Sequence, residues 1–233
     1  MPLTVELSDY IATGKSGPPS YLGTRYDRTR FLPEAGNTVV CHLDTSEPAH
    51  QAVLAARAGM QALAGNGFLF TPVQSLHMTL FEGVIETRRT ADAWPHGIAR
   101  DAPVADVTEI LLKRLVSAPA HPGFSVRATG IRPAGLLLEG ATPEDETAMR
   151  AWRDALTEPF GYRHTTHGSY RFHMTFAYPV DWIPEAEAER WHAGLHTILA
   201  DLVEAAPTIP LKPPAFCRFA DMTWFEELKV LGA

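Results

Sequence analysis

Leu76-His77-Met78-Thr79-Leu80 and Phe172-His173-Met174-Thr175-Phe176 are the two stretches on which the reading of this chain turns. Each is an apolar–His–Met–Thr–apolar unit inside a strand-like run, SLHMTLF at 75–81 and YRFHMTFAY at 170–178. In a strand, residues i and i+2 point to one face. His77 and Thr79 therefore share a face, and so do His173 and Thr175, while Met78 and Met174 turn the other way with their apolar neighbours. His-x-Thr alone carries little weight, since ten histidines and 21 threonines in 233 residues give about one match by chance. A third match, His164-Thr165-Thr166, lies in a polar loop and is set aside.

Working outward, Thr38 to Leu43 reads as a strand. Ser46 is placed to cap a helix from Glu47-Pro48 to about Ala64, stopped by Gly65-Asn66-Gly67. Leu69-Phe70 is a short apolar piece before the first motif strand. A helix over 104–116 and an alternating strand over 124–131 follow. The order then restarts. Residues 135–139 form a strand, and Thr142 caps a helix with Pro143 first and Asp145 three residues after the cap. The second motif strand, a helix over 184–205 and strand-like pieces at 209–211, 215–219 and 223–225 complete the chain.

The two motifs lie 96 positions apart, 38 residues after Val39 and 36 after Leu137, the strands that open each half. This is the pattern of an internal duplication. It predicts an α+β fold of two lobes, each a small antiparallel sheet flanked by helices, with the motif strands facing each other across a central cleft. The lobe halves are 37–131 and 132–233 within one domain over 37–233, with strands exchanged between them. Residues 1–36 read as an N-terminal extension wrapped over the body. Their Gly14-Lys15-Ser16 is not a phosphate loop, because Asp9 stands where that motif needs glycine and Pro18-Pro19 where it needs a helix.

Composition narrows the class. Twenty Lys and Arg against 27 Asp and Glu give a net charge of −7, which argues against a protein that coats long nucleic acid. Cys41 and Cys217 sit in apolar runs and read as buried free thiols of a reducing compartment. The first residues lack the apolar core of a signal peptide, and no run approaches the ~20 apolar residues of a membrane span. A cytoplasmic protein with no membrane partner is expected. Oligomeric state is not legible.

Two imidazoles and two hydroxyls converging on one space form an apparatus for phosphodiester chemistry. Histidine titrates near neutrality, so one ring can be a neutral base and the other a protonated acid. Threonine hydroxyls can hold the non-bridging oxygens. Zinc is the rival reading, with His164 and His167 as further ligands, but HExxH is absent and threonine is no usual zinc ligand. No metal or cofactor is therefore expected. Arg171 shares strand parity with His173 and Thr175 and is a candidate phosphate grip. Phe81 shares parity with His77, whereas Tyr178 reaches the histidine face only if its strand bulges. Either could stack on a base, with core packing the alternative. His167, in the loop before the second motif, is a further candidate for substrate contact.

Two apolar-His-x-Thr-apolar strands in a duplicated chain resemble the two-histidine (2H) phosphoesterase superfamily, over roughly residues 37–225. GNTVVCHL at 36–43, SLHMTLFEG at 75–83 and RFHMTFAY at 171–178 are similar to its bacterial and fungal branch of unknown function. The resemblance implies catalytic roles for His77 and His173 and phosphate-holding roles for Thr79 and Thr175. It implies a metal-independent phosphodiesterase that opens a 2′,3′-cyclic phosphate, or a related cyclic phosphodiester, on a small nucleotide or RNA end. The alternative is a binding module for a nucleotide or phosphorylated metabolite that keeps the cleft without turnover. Which histidine is acid and which is base stays open.

Overall fold

The alternation around the two motifs is what places the sheet between its two environments. Met78 and Met174 are fully buried, whereas His77, Thr79, His173 and Thr175 each keep partial exposure. The structure is a computed structural model that describes residues 3–117 and 121–232. In chain order it comprises β1 (Thr4–Val5), β2 (Gly36–His42), α1 (Pro48–Ala64), β3 (Phe68–Phe70), β4 (His77–Ile85), α2 (Val104–Arg114) and β5 (Ser125–Arg132). There follow β6 (Gly135–Gly140), α3 (Pro143–Phe160), β7 (His173–Thr175), β8 (Ala177–Pro179), α4 (Ala188–Ala205), β9 (Ile209–Pro210), β10 (Ala215–Phe219) and β11 (Glu226–Val230).

The fold is α+β and two-lobed, as the sequence predicts, and among the described residues the strands form no closed barrel. Among the described residues one sheet runs β1-β5-β6-β7-β4-β2-β10-β11, with β9 added against β5, and β3 pairs with β8 apart from it. All pairings in the large sheet are antiparallel except β1 with β5. The motif strands do not face each other across the cleft. β4 and β7 are hydrogen-bonded neighbours at the centre, in register at Met78 and Met174. On one side of this pair stand β2 and β10, on the other β6 and β5.

The main core lies on the methionine face. Cys41, Met78, Met174 and Leu136 pack there with Met60, Val107, Leu111, Met149, Trp152, Leu195 and Leu199 from the four helices. Each fully buried side chain of this size stabilises the fold by ~1.5–3 kcal/mol. The opposite face carries a smaller cluster of Val40, Cys217, Phe219, Met222 and Phe225. Both cysteines are free and buried.

The local signals hold for α3, where Thr142 and Asp145 close a capping box and Gly161, at φ 70°, ends the helix. They fail at α1. Glu47 occupies the cap position with no side-chain cap, because the Ser46 hydroxyl instead donates to Asp44 at 2.7 Å. The last strand is Glu226–Val230, and the apolar run at 223–225 is part of the turn before it.

Residues 3–35 lie across the body. β1 extends the sheet beside β5, and Ile11 bridges Ile183. The Tyr26 ring is fully buried and its hydroxyl donates to the Pro179 carbonyl at 2.7 Å. Buried Glu34 accepts from Arg25 at 2.5 Å and from Thr87 at 2.6 Å, which ties this segment to the far end of β4.

Candidate active site

Backbone register assembles the site. Val40 pairs with Thr79 and Leu137 with His173, so with Met78 opposite Met174 one row across the sheet reads Leu137, His173, Thr79, Val40. The row one pleat away, two residues along each strand, reads Gly135, Thr175, His77, His42. Each histidine therefore stands opposite the other motif's threonine. His77 and His173 are diagonal neighbours, for which Cβ atoms lie ~7–8 Å apart. Gly135 is required in this array. It sits at φ 147°, and a Cβ there would lie 2.0 Å from the Met174 carbonyl oxygen.

All four motif side chains line one cavity of about 170 Å³. Its walls also include Asn37, Thr38, Glu82, Arg88, Tyr170, Tyr178 and Phe225, together with Tyr21 and Arg25 from the N-terminal segment.

The two imidazoles are fixed in the same way. His77 Nδ1 lies 2.7 Å from the Ser75 carbonyl oxygen and His173 Nδ1 lies 2.9 Å from that of Arg171. A carbonyl only accepts, so each Nδ1 carries its hydrogen and donates it. Each Nε2 is thereby left as the titrating atom, a lone pair when the ring is neutral and a donor when it is charged. Among the described residues the Thr79 and Thr175 hydroxyls make no hydrogen bond, while the Thr79 carbonyl accepts from Tyr170 at 3.4 Å.

Burial sets the electrostatics. It lowers His77 from 6.5 to about 3; the Ser75 carbonyl opposes this, and the His42 and His173 rings add to it. The His77 ring packs 4.2 Å from Phe225 and 6.2 Å from His42. His173 is also lowered, first by burial and then by the charge of Arg132, against the Arg171 carbonyl and Glu82. His42 is lowered by burial, against the pull of Glu227.

Of the four further candidates, Tyr178 alone lines the cavity. It gets there by the bulge its parity demands: the Phe176 and Ala177 amides both donate to the Ala134 carbonyl, at 2.7 and 3.2 Å. Phe81 is fully buried in the main core instead, against Phe160 at 4.7 Å. The reason is a second bulge. Val40 pairs with Thr79 but Val39 with Phe81, so Leu80 is an extra residue that reverses the parity beyond it. Glu82, not Phe81, thus returns to the cavity side. Arg171 lies outside the cavity, because its guanidinium is exposed and bidentate on Glu6 at 2.6 and 3.1 Å. His167 is buried behind the site and hydrogen-bonded to Asp154 at 2.9 Å.

The bulged segment is held from behind. Buried Arg153 donates to the Leu80 carbonyl and stacks 3.8 Å over Tyr170. Tyr162 and His164 both donate to the Glu82 carbonyl, at 3.0 and 2.8 Å. The third His-x-Thr match is thus part of this support. Among the described residues, no group of three or more His, Cys, Asp or Glu is placed to hold a metal ion.

Sequence reasoning did not reach His42, Glu82, Arg88, Phe225, Tyr21 or Arg25. For His42 the signal was present, since Thr38, Val40 and His42 alternate on one face of a strand next to the motif. Tyr21 and Arg25 come from a segment with no periodicity, and nothing local marks them.

Comparison with known proteins points the same way. The chain is similar to ATU0111, a conserved protein of unknown function from Agrobacterium tumefaciens str. C58. Its crystal structure superposes with a TM-score of 0.93 at 42% identity, over 96% of this chain and 97% of that one. No relative is found among curated proteins. A family model named 2H-phosphodiest, described as a domain of unknown function (DUF1868), matches residues 25–137, which include the first His-x-Thr strand and the segment bearing Arg25. The chain belongs to the 2H phosphoesterase superfamily.

Proposed function

We propose that this chain is a metal-independent phosphodiesterase that opens a 2′,3′-cyclic phosphate, or a related cyclic phosphodiester, on a nucleotide or RNA end. The observation that carries this reading is the matched pair of imidazoles. Both are locked by Nδ1–H on a carbonyl, both leave Nε2 to titrate, and both line one cavity with two uncommitted threonine hydroxyls.

The chemistry follows from that geometry. Water attacks phosphorus as one neutral Nε2 takes its proton. The bond from phosphorus to one ribose oxygen breaks, and the other ring's Nε2–H protonates that oxygen. Each transfer is typically worth ~10²–10⁴-fold. Thr79 and Thr175 hydroxyls donate to the non-bridging oxygens. His77, packed on Phe225 and lowered to about 3 by burial, stays neutral and serves as base. His173 serves as acid; burial and the Arg132 charge lower it in the free protein, and it takes up its proton when the substrate phosphate is bound. A bound phosphate favours the imidazolium and completes the pairing.

The test is hydrolysis of the four nucleoside 2′,3′-cyclic monophosphates in EDTA by wild type, His77→Ala and His173→Ala. Turnover lost by at least ~10²-fold in both variants is expected. Wild-type binding of these nucleotides without any product would instead establish the binding-module alternative.

A further inference from the structure

A second chamber of about 350 Å³ adjoins the first. His173, Thr175, Tyr21, Arg25 and Tyr178 belong to both walls, so the second motif stands between the two spaces. Beyond them the second chamber is bounded by Asp9, Tyr10, Arg132 and Trp182.

Arg132 is the side chain here that the fold does not use. Its Nε is buried with no hydrogen-bond partner, and among the described residues its guanidinium forms no ion pair. The neighbouring arginines differ, since Arg25 is paired with Glu34 and Arg171 with Glu6. A buried donor without an acceptor is destabilising, a penalty that a bound anion removes. The planar guanidinium matches a phosphate in two-point geometry. Arg132 is also near enough to the second motif to act on His173 through its charge. Asp9 is the one carboxylate on this wall, and the rings of Tyr10 and Trp182 supply flat apolar surface.

We infer that the second chamber is a subsite for a further phosphate group of the substrate, held by Arg132. The substrate class is then a cyclic phosphodiester that carries a second phosphate, as a 5′-phosphorylated nucleotide or an RNA end does, rather than a bare nucleoside cyclic phosphate. The choice of scissile group rests on the phosphodiesterase reading; the subsite itself does not.

The test uses ligands that cannot turn over by ring opening. Calorimetry compares adenosine 3′-monophosphate with adenosine 3′,5′-bisphosphate on wild type, Arg132→Gln, Arg132→Lys and the exposed control Arg190→Gln. Wild type is expected to bind the bisphosphate at least ~10-fold tighter, equivalent to ~1.4 kcal/mol. Arg132→Gln abolishes that ratio, Arg132→Lys keeps part of it, and Arg190→Gln leaves it intact. Equal affinities in wild type, an unchanged ratio in both Arg132 variants, or no binding of either nucleotide overturns the subsite. Bisphosphate preference without turnover of cyclic phosphates sinks the phosphodiesterase reading alone. Turnover without the preference sinks the subsite alone.

Discussion

Substituting His77 by glutamine should make the protein less sensitive to acid. The folded-state His77 titrates at about 3, against 6.5 for an unperturbed ring, chiefly because the ring is buried. Between these values the unfolded chain holds a proton that the native state refuses, so acidification favours unfolding. The stability tied to the neutral ring is therefore complete above pH 6.5 and declines as pH falls toward 3. The slope within that window is ~1.4 kcal/mol per pH unit. From about pH 7.5 to about pH 4.5 roughly two units count, which sets an upper value of ~2.7 kcal/mol. Partial exposure of the ring screens this, and ~1–2 kcal/mol is the expected size. His42, His164, His167 and His173 are lowered too, but they are present in both proteins and cancel to first order in the comparison. Urea unfolding of wild type and His77→Gln at the two pH values gives the difference. Wild type should lose ~1–2 kcal/mol more than the variant on acidification. Equal losses, or a greater loss in the variant, would refute the claim that the native fold holds this ring neutral.

Three other outcomes follow from the same geometry. The kcat/KM profile should be bell-shaped with its maximum on the acid side of neutrality, since both free-enzyme imidazoles are lowered, and the kcat maximum should lie higher because bound phosphate raises them; a maximum above about pH 8 would contradict this. Gly135→Ala should destabilise by ~2–3 kcal/mol in urea unfolding, since its Cβ would meet the Met174 carbonyl at 2.0 Å and distort β7. Tyr21→Gly should leave stability within about 1 kcal/mol, because relief of the left-handed backbone at φ 69° offsets the lost Arg25 stacking at 4.4 Å, while steady-state kinetics should show KM raised more than kcat is lowered.

What the sequence made legible is what strand parity and capping control. The His-Thr faces, the opposed methionines, the Thr142 capping box and the α+β class all follow from spacings of two and from local chemistry. What it hid lies in long-range pairing. That β4 and β7 are neighbours depends on one backbone register at Met78 and Met174, which no local pattern encodes. The Leu80 bulge that sends Phe81 inward is held by Arg153, 73 residues away in sequence. The bulge that delivers Tyr178 depends on the Ala134 carbonyl across the strand pair. Tyr21 and Arg25 enter the cavity through tertiary anchors, the Tyr26 and Glu34 contacts, in a segment without periodicity. Arg171 illustrates the converse. Its parity suits the cavity, but the strand starts only at His173, and Glu6 captures the guanidinium outside.

The central claim is that two identically oriented imidazoles share one phosphate. Nitrogen-15 NMR of the histidine side chains, recorded across pH with and without a nucleoside 3′-monophosphate, tests it most directly. Both His77 and His173, assigned by substitution, should show the Nδ1–H tautomer in the free protein. On nucleotide addition both Nε2 signals should move, and both apparent pKa values should rise. An Nε2–H tautomer at either ring, or a response confined to one of them, would contradict the shared site.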